Sequence, residues 1–231
     1  MIGTSRRTPG RNPHTNPLHT VIATRELGQG IFILRLAREG MHFRAGQWIN
    51  VGIPGTGEQR EYSIYSPPSA DHLDVLIKEI PGGEVSPALH RCRPGERVEI
   101  DGPHGAFTLV EGLRAAPHYL FCASGTGVSP FHSFVAESPS IDYVLLHGVR
   151  HHAELMEPGA FAPSRFVPCI SREGAQPGEH QGRLTTYLGE HPVDPSTYCY
   201  LCGNSDMIYE SFSLLTRFGV PREQIFAEIY F

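Results

Sequence analysis

The pattern of apolar residues changes near residue 115, and this change most restricts the fold. Before it, short apolar runs at 31–36, 73–77 and 97–100 are separated by Gly/Pro turns, which is typical of a small antiparallel barrel. After it, strand candidates alternate with helical stretches, which predicts a parallel sheet flanked by helices. These candidates are residues 118–123, 141–147, 165–170, 197–202 and 225–229. We therefore predict a two-domain β plus α/β fold, with an antiparallel β-barrel at 18–114 and an α/β domain at 115–231.

Composition and charge exclude several classes of protein. The net charge of −5 argues against a dedicated nucleic-acid binder. No run of about twenty apolar residues is present, so no membrane span is predicted. Residues 1–17 are polar, basic and rich in proline, and we interpret them as a mobile tail. Five cysteines, an odd number, do not suggest a disulfide framework. Neither they nor the scattered histidines form a metal-binding pattern, and we expect a cytoplasmic monomer.

The hexapeptide Gly-x-x-Val-Ser-Pro occurs once in each half, at residues 82–87 and 125–130. Glycine lets the backbone turn sharply and come close to an anion. Serine at the N-cap and proline at the first helical position would then begin a helix, whose free N–H groups and dipole favour phosphate. The alternative is an ordinary junction between a loop and a helix. Two copies in one chain suggest two nucleotides.

The segment 60–66 places a cation, two tyrosines and hydroxyl groups on a predicted barrel strand. Arg60 and Tyr62 would share one face of the strand, while Ser63 and Tyr65 would share the other. A flat aromatic ligand could stack on a tyrosine and accept a hydroxyl hydrogen bond there. An amphipathic strand with tyrosine at the barrel rim is the alternative interpretation.

Four short motifs follow one another in the order found in the ferredoxin–NADP⁺ reductase superfamily, and the chain resembles that superfamily from about residue 21 to its end. The motifs are Arg-x-Tyr-Ser from Arg60, Gly-x-x-Ser from Gly83, Gly-Thr-Gly-x-Ser-Pro from Gly125 and Cys-Gly-x-x-x-Met from Cys202. The last four residues, 228–231, resemble the Glu-x-Tyr ending of ferredoxin–NADP⁺ reductases, with the extra aromatic residue of a bacterial subgroup.

The resemblance implies FAD on the barrel and a nicotinamide nucleotide on the α/β domain. Residues expected to bind FAD are Arg60, Tyr62, Ser63, Tyr65, Gly83, Val85 and Ser86, with the C-terminal aromatics Tyr230 and Phe231. Ser63, Cys202, Glu228 and Tyr230 would act at the reacting rings. In this resemblance Cys202 lies against the nicotinamide without acting as a covalent nucleophile, and Tyr230 stacks on the flavin where the nicotinamide must enter.

The resemblance also implies NADP(H) rather than NAD(H). The pyrophosphate would bind the turn made by Gly125, Thr126, Gly127 and Ser129, with Met207 nearby. The 2′-phosphate favours arginines and rejects carboxylates. Residues that match positions around the 2′-phosphate in the bacterial subgroup are Arg150, Ser171, Arg172 and Arg183.

The implied activity is hydride transfer between NADPH and flavin N5, with single electrons passing to a ferredoxin or flavodoxin. Three alternatives stay open. One is a stand-alone reductase component of a multicomponent oxygenase. Reductases of that class usually carry a fused ferredoxin domain with clustered cysteines, which this sequence lacks, so a separate ferredoxin would have to serve. The second is a non-catalytic flavoprotein subunit that only transfers electrons. The third is a nucleotide sensor without turnover, against which the presence of Ser63, Cys202 and Glu228 argues.

Overall fold

The computed structural model describes residues 16–110 and 117–230. The predicted domain boundary near residue 114, most of the predicted tail and Phe231 lie outside the described residues. Within them, twelve strands form two six-stranded sheets, one for each predicted domain. The predicted two-domain architecture is confirmed.

The first sheet is an antiparallel barrel with strand order β4-β3-β6-β1-β2-β5. A bridge between Ile64 and Val75 joins the end of β4 to β5, and the Tyr65 N–H donates to the Asp74 carbonyl at 2.8 Å. These contacts link the two edge strands and close the barrel. One short helix, α1 (Val85–His90), packs Val85 and Leu89 against the barrel core. The strands are β1 (Leu18–Gly28), β2 (Ile31–Ala37), β3 (Trp48–Gly52), β4 (Gln59–Ser63), β5 (His72–Lys78) and β6 (Arg97–His104).

The second sheet is parallel throughout, with strand order β10-β9-β8-β7-β11-β12. All five predicted strands are present, with ends that shift by at most two residues. The strands are β7 (His118–Ser124), β8 (Asp142–Val149), β9 (Phe166–Ile170), β10 (His180–Gln181), β11 (Tyr198–Gly203) and β12 (Ile225–Ile229). The helices are α2 (Ser129–Glu137), α3 (Leu184–Glu190) and α4 (Ser205–Arg217).

An apolar cluster shared by both domains holds them together. Phe107, which follows β6, packs edge-on against Tyr200 of β11 with ring centroids 5.3 Å apart. Within the α/β domain, the rings of Phe121 and Phe131 stack with their centroids 4.8 Å apart. Ile31 and Tyr65 of the barrel domain belong to the same buried cluster. The ends of the parallel strands are therefore fixed beside the barrel.

The starts of the helices partly correct the sequence prediction. Ser86 and Ser129 are not N-caps, because Glu84 and Val128 occupy those positions and no side chain caps either helix. The Ser86 hydroxyl instead accepts from the Ile80 N–H at 3.0 Å, and Ser129 donates to the Thr126 carbonyl at 2.8 Å. Each serine thus stabilises the turn that precedes its helix. Among the described residues, no helix has the length and apolar character needed to cross a membrane.

Candidate functional site

Two cavities meet at the interface between the domains. The sheet cavity, of about 420 Å³, lies at the carboxyl ends of the parallel strands. The barrel cavity, of about 700 Å³, lies between β3, β4, β5, the start of α1 and the end of β12. Lys78, Thr126 and Tyr230 line both cavities. A ligand in one cavity would therefore lie next to a ligand in the other.

The barrel cavity contains most of the residues predicted to bind the first nucleotide. Arg60 lies at the mouth, where its side chain pairs with Glu58 at 3.2 Å. The turn before α1 is tight at Gly83, where a Cβ would lie 3.1 Å from the Ile80 carbonyl oxygen. Burial raises the pKa of Tyr62 to about 12, so its hydroxyl is neutral and can donate. Predicted residues that line this cavity are Arg60, Tyr62, Ser63, Gly83, Val85, Ser86, Glu228 and Tyr230.

The sheet cavity begins at the glycine-rich turn after β7, which forms a short 3₁₀ helix, Gly125–Val128. The turn presses against β11, because a Cβ on Gly127 would lie 2.3 Å from the Cys202 carbonyl oxygen. Beneath it, the buried His147 ring contacts the Gly125 carbonyl through Nε2 at 3.0 Å. Burial lowers the pKa of His147 to about 4, so the ring is neutral and Nε2 donates. Predicted residues that line this cavity are Gly125, Thr126, Arg150, Ser171, Arg183, Met207 and Tyr230.

A chain of hydrogen bonds lies where the cavities meet. The Tyr230 hydroxyl donates to Ser63 Oγ at 2.6 Å, and Ser63 Oγ donates to Glu228 Oε1 at 2.8 Å. Burial raises the pKa of Glu228, although the hydrogen bond from Ser63 lowers it in part. Burial also raises the pKa of the Cys202 thiol well above its usual value, so the thiol stays protonated at neutral pH. A protonated thiol is compatible with a positioning role and not with a nucleophile.

Some predicted residues form the wall behind the sheet cavity. Gly127, Ser129 and Cys202 support the turn and the end of β11 without lining the cavity. Arg172 is exposed, and its backbone N–H donates to the Arg150 carbonyl at 2.9 Å. The Arg172 side chain lines neither cavity. The structure thus brings Arg150 and Arg183 together and leaves Arg172 at the periphery.

Tyr65 does not fit the prediction that it contacts a cofactor. Its side chain is buried at 2% exposure and lines neither cavity. Its hydroxyl donates to Glu157 Oε2 at 2.7 Å, and its ring stacks on His132 at 3.8 Å. The reason is that β4 ends at Ser63, so the alternation along the strand does not extend to Tyr65. Tyr65 instead packs into the apolar cluster between the domains, where Glu157 accepts the hydrogen bond from its hydroxyl.

Among the cavity-lining residues that sequence reasoning missed are Lys78, Glu154 and Trp48. Lys78, at the end of β5, lines both cavities and pairs with Glu154 Oε1 at 3.4 Å. Glu154 lines the sheet cavity and also accepts from the Arg150 N–H at 2.9 Å. Trp48 lines the barrel cavity and packs over Gly105, where a Cβ would touch the indole. For two of them rarity was the available signal, because Lys78 is the single lysine and Trp48 the single tryptophan; Glu154 carried no such signal.

Comparisons with known proteins identify the family. A family model described as an oxidoreductase FAD-binding domain matches residues 22–109. Ferredoxin–NADP reductase B of Sorangium cellulosum is 31% identical over 210 residues, which cover 81% of this chain and 85% of the relative. The reductase component of propane 2-monooxygenase from Mycolicibacterium goodii is 30% identical over 81% of this chain, and the match spans 59% of that longer protein.

A solved structure supports the fold. The ferredoxin NADP⁺ reductase from Neisseria gonorrhoeae, crystallised with FAD and NADP, superposes with a TM-score of 0.83. The match covers 93% of this chain and 98% of that protein at 24% identity. The predicted family and the predicted FAD-binding barrel are confirmed, and this chain belongs to the ferredoxin–NADP reductase family.

Proposed function

We propose that this chain is an FAD-dependent oxidoreductase that moves electrons between NADPH and a one-electron carrier, a ferredoxin or a flavodoxin. The observation that carries the proposal is the shared position of Tyr230, which lines both cavities. Among the described residues, the two cavities share Lys78, Thr126 and Tyr230, and these side chains would lie between two bound cofactors. When bound, NADP(H) would supply electrons in pairs as hydride, and FAD would accept them in pairs and release them singly.

FAD fits the barrel cavity. The tight turn at Gly83 and the uncapped start of α1 present backbone N–H groups to an anion, and Arg60 offers an exposed guanidinium at the mouth. Tyr62 and Trp48 provide flat apolar faces for an aromatic ring. Lys78, at the meeting point of the cavities, adds a further cation.

NADPH fits the sheet cavity. The turn at Gly125–Val128 lies at the carboxyl end of β7, the usual place for a pyrophosphate in a parallel α/β sheet. Arg150, Ser171 and Arg183 line the same cavity and would contact the 2′-phosphate. Arg172 is closer to the surface and would contribute less. Thr126 lines both cavities and would hold the nucleotide where it faces the flavin.

Ser63, Glu228 and Tyr230 would control the reacting face. The Ser63 hydroxyl would hydrogen-bond the flavin, with Glu228 as its proton partner. The Tyr230 ring would cover the flavin and would have to leave before a nicotinamide could enter. Cys202 is buried behind Tyr230 and hydrogen-bonded to it, so it would contact the nicotinamide side, as a neutral thiol, only after Tyr230 has moved.

The proposal extends to the state of the protein in the cell. A cytoplasmic location is supported by five cysteines that are all free thiols. A monomer is supported by the described surface, where the exposed large apolar side chains are few: Leu18, Ile22, Ile80 and Tyr209. A domain boundary near residue 114 is supported by the end of β6 at His104 and the start of β7 at His118.

A second candidate function is that of a reductase component of a multicomponent oxygenase. The 30% identity with the propane 2-monooxygenase reductase component supports it, although this chain spans 59% of that protein. In that case a separate ferredoxin would carry electrons to the oxygenase. The two candidates share the chemistry at FAD and differ in the final acceptor.

Anaerobic stopped-flow spectroscopy tests both candidates. The purified protein is mixed with NADPH or NADH, and the loss of flavin absorbance is followed. The reduced protein is then mixed with a flavodoxin, a ferredoxin, or a ferredoxin with its oxygenase. Fast reduction by NADPH with transfer to a free carrier supports the main proposal, while turnover only with an oxygenase supports the second candidate. Flavin that NADPH does not reduce would refute both.

A further inference from the structure

A charged cluster centred on Glu157 joins the two domains. Glu157 follows β8 in the α/β domain, whereas its two partners belong to the barrel domain. Glu157 Oε1 pairs with Arg25 of β1 at 2.9 Å, and Oε2 accepts the Tyr65 hydroxyl at 2.7 Å. Burial raises the pKa of Glu157, but the hydrogen bonds from Arg25 and Tyr65 outweigh it and the net shift is downward. The carboxylate is therefore charged at neutral pH, and both its bonds cross the interface.

Helix α2 contacts Tyr65 and the residue after it, Ser66, on the side opposite to Glu157. His132 stacks on the Tyr65 ring with an interplanar angle of 7°, and its Nδ1 contacts the Tyr65 carbonyl at 2.8 Å. The next residue, Ser133, donates its buried hydroxyl to the Ser66 carbonyl at 2.8 Å. Tyr65 and Ser66 thus lie between α2 and Glu157. These two residues lie two and three positions after Ser63, which lines the barrel cavity.

The backbone conformation of Glu157 indicates that its surroundings hold it in this contact. Glu157 has φ of 44° and ψ of 54°, in the left-handed region that disfavours side chains with a Cβ. Among the described residues, Gln29 and Glu39 are the other non-glycine residues with positive φ, and both are exposed in turns. Glu157 is instead partly buried and bonded on both carboxylate oxygens. A strained conformation persists where the surroundings over-determine it, and such residues cluster at functional positions.

The same short segment also contacts the region between the cavities. We call residues 154–157 the strap. At its start, Glu154 binds the Arg150 N–H on one oxygen and pairs with Lys78 of the barrel domain on the other. Met156, within the strap, is buried in the cluster shared by the domains. The strap therefore crosses from the lining of the sheet cavity to the barrel and is bound at both ends.

We propose that the strap sets the position of the barrel relative to the parallel sheet, and that Glu157 and Arg25 are positioning residues for electron transfer between the two cavities. The inference rests on the proposed function, because it concerns the separation of two bound rings. Reacting atoms must approach to about 3–3.5 Å, and a displacement of about 1 Å can cost about 100-fold in rate. Neither Glu157 nor Arg25 lines a cavity, so their loss should act through geometry alone.

Matched substitutions test this role. Arg25→Gln and Glu157→Gln each break the pair between the domains. Arg35→Gln is the control, because Arg35 also pairs with a carboxylate, that of Asp74 at 2.9 and 2.8 Å, but inside the barrel domain. The two arginines are also similarly exposed, at 50% and 41%. The limiting rate of flavin reduction is measured at saturating NADPH, together with the NADP⁺ dissociation constant and calorimetric unfolding of the holoprotein.

We expect Arg25→Gln and Glu157→Gln to lower the limiting rate by at least about 10-fold while the NADP⁺ dissociation constant changes by less than about 2-fold. The conservative Arg25→Lys should recover part of the rate. Arg35→Gln should keep the parent rate even where it lowers the unfolding temperature. Calorimetry should resolve two separate unfolding transitions in Glu157→Gln where the parent shows one.

Two outcomes would overturn the inference: parent-like limiting rates in both variants between the domains, or an equal loss of rate in Arg35→Gln. Failure of the proposed function has a different signature, since the parent flavin would then not be reduced by NADPH. Calorimetry would still decide the structural claim in that case. A single transition in Glu157→Gln, at the parent's width, would refute it.

Discussion

Gly127→Ala should separate the phosphate-binding role of the turn after β7 from ordinary stability. A Cβ at this position would lie 2.3 Å from the Cys202 carbonyl oxygen and 2.9 Å from Gly203 Cα, both backbone atoms. Ordinary contact begins at 3.4 Å, so one side must move by about 1 Å. β11 is bonded to β7 on one side and β12 on the other, so the turn is the part that moves. We expect the cost of such overpacking to be about 1–3 kcal/mol.

The shift would fall on Gly125 and Thr126, which line the sheet cavity. A displaced turn no longer directs its N–H groups at the pyrophosphate, and each lost hydrogen bond to a charged group costs about 1.5–3 kcal/mol. We therefore expect Gly127→Ala to weaken NADP⁺ binding by about 10- to 100-fold. Isothermal titration calorimetry measures the affinity, and thermal unfolding reports the stability.

Gly219→Ala is the matched control for this experiment. Gly219 ends α4 with φ of 89°, and a Cβ there would meet only Pro195 Cγ at 3.7 Å. The left-handed backbone should cost about 1–2 kcal/mol, similar to the overpacking at Gly127. NADP⁺ affinity should nevertheless match that of the parent. Parent-like NADP⁺ affinity in Gly127→Ala, or an equal loss in both variants, would refute the assignment of the turn.

Three further predictions concern individual side chains. Tyr230→Ser should tighten NADP⁺ binding and give a charge-transfer band with the flavin, since the ring no longer competes; an unchanged spectrum and affinity would make Tyr230 structural. Replacing Arg150 or Arg183 by Ala should weaken the binding of NADPH by about 10- to 100-fold and leave the binding of NADH nearly unchanged. Arg172→Ala should weaken NADPH binding less. Equal losses of affinity for both nucleotides would contradict the 2′-phosphate site. Burial lowers the pKa of His147 to about 4 in the folded protein, whereas in the unfolded chain it is about 6.5. The unfolded state therefore binds the proton more readily below about pH 6.5. The free energy of unfolding should be highest above about pH 6.5 and should fall by up to about 3 kcal/mol as the pH drops towards about 4. Urea unfolding of His147→Gln should lack this loss, and a pH dependence equal to the parent's would exclude His147 as its source.

Features coded by neighbouring residues were predictable from the sequence. The predicted strand at 225–229 is β12, and α4 begins after Asn204, whose side chain accepts from the Asp206 N–H at 3.0 Å. Gly219, with positive φ, directly follows the C-cap of the same helix. Strand periodicity, a cap and a glycine stop act within a few residues of one another. For this reason β2, β4, β5 and β6 of the barrel and five of the six strands of the parallel sheet were predictable from the sequence.

Features that depend on contacts between the domains were not predictable in the same way. The Tyr65–Glu157 hydrogen bond joins residues 92 apart in the chain, and the Lys78–Glu154 pair joins residues 76 apart. Neither glutamate belongs to a recognisable motif. The Ser-Pro pairs were misread for a related reason, because a hydroxyl one turn away from a loop can bond the loop as easily as it caps the helix. At Ser86 the hydroxyl bonds the preceding loop, because it accepts from the Ile80 N–H.

The register of the parallel sheet explains how distant motifs reach one place. Cys202 pairs with Glu228 across β11 and β12, and with Ala123 across β11 and β7. The thiol, the carboxylate and the turn at Gly125 therefore lie at the same edge of the sheet, where the barrel brings Ser63 to within 2.8 Å of Glu228. A slip of one residue in β12 would turn Glu228 to the opposite face and break that bond. The four motifs can then be short and weakly patterned, because the register and the interface between the domains, more than the motifs themselves, determine where their side chains meet.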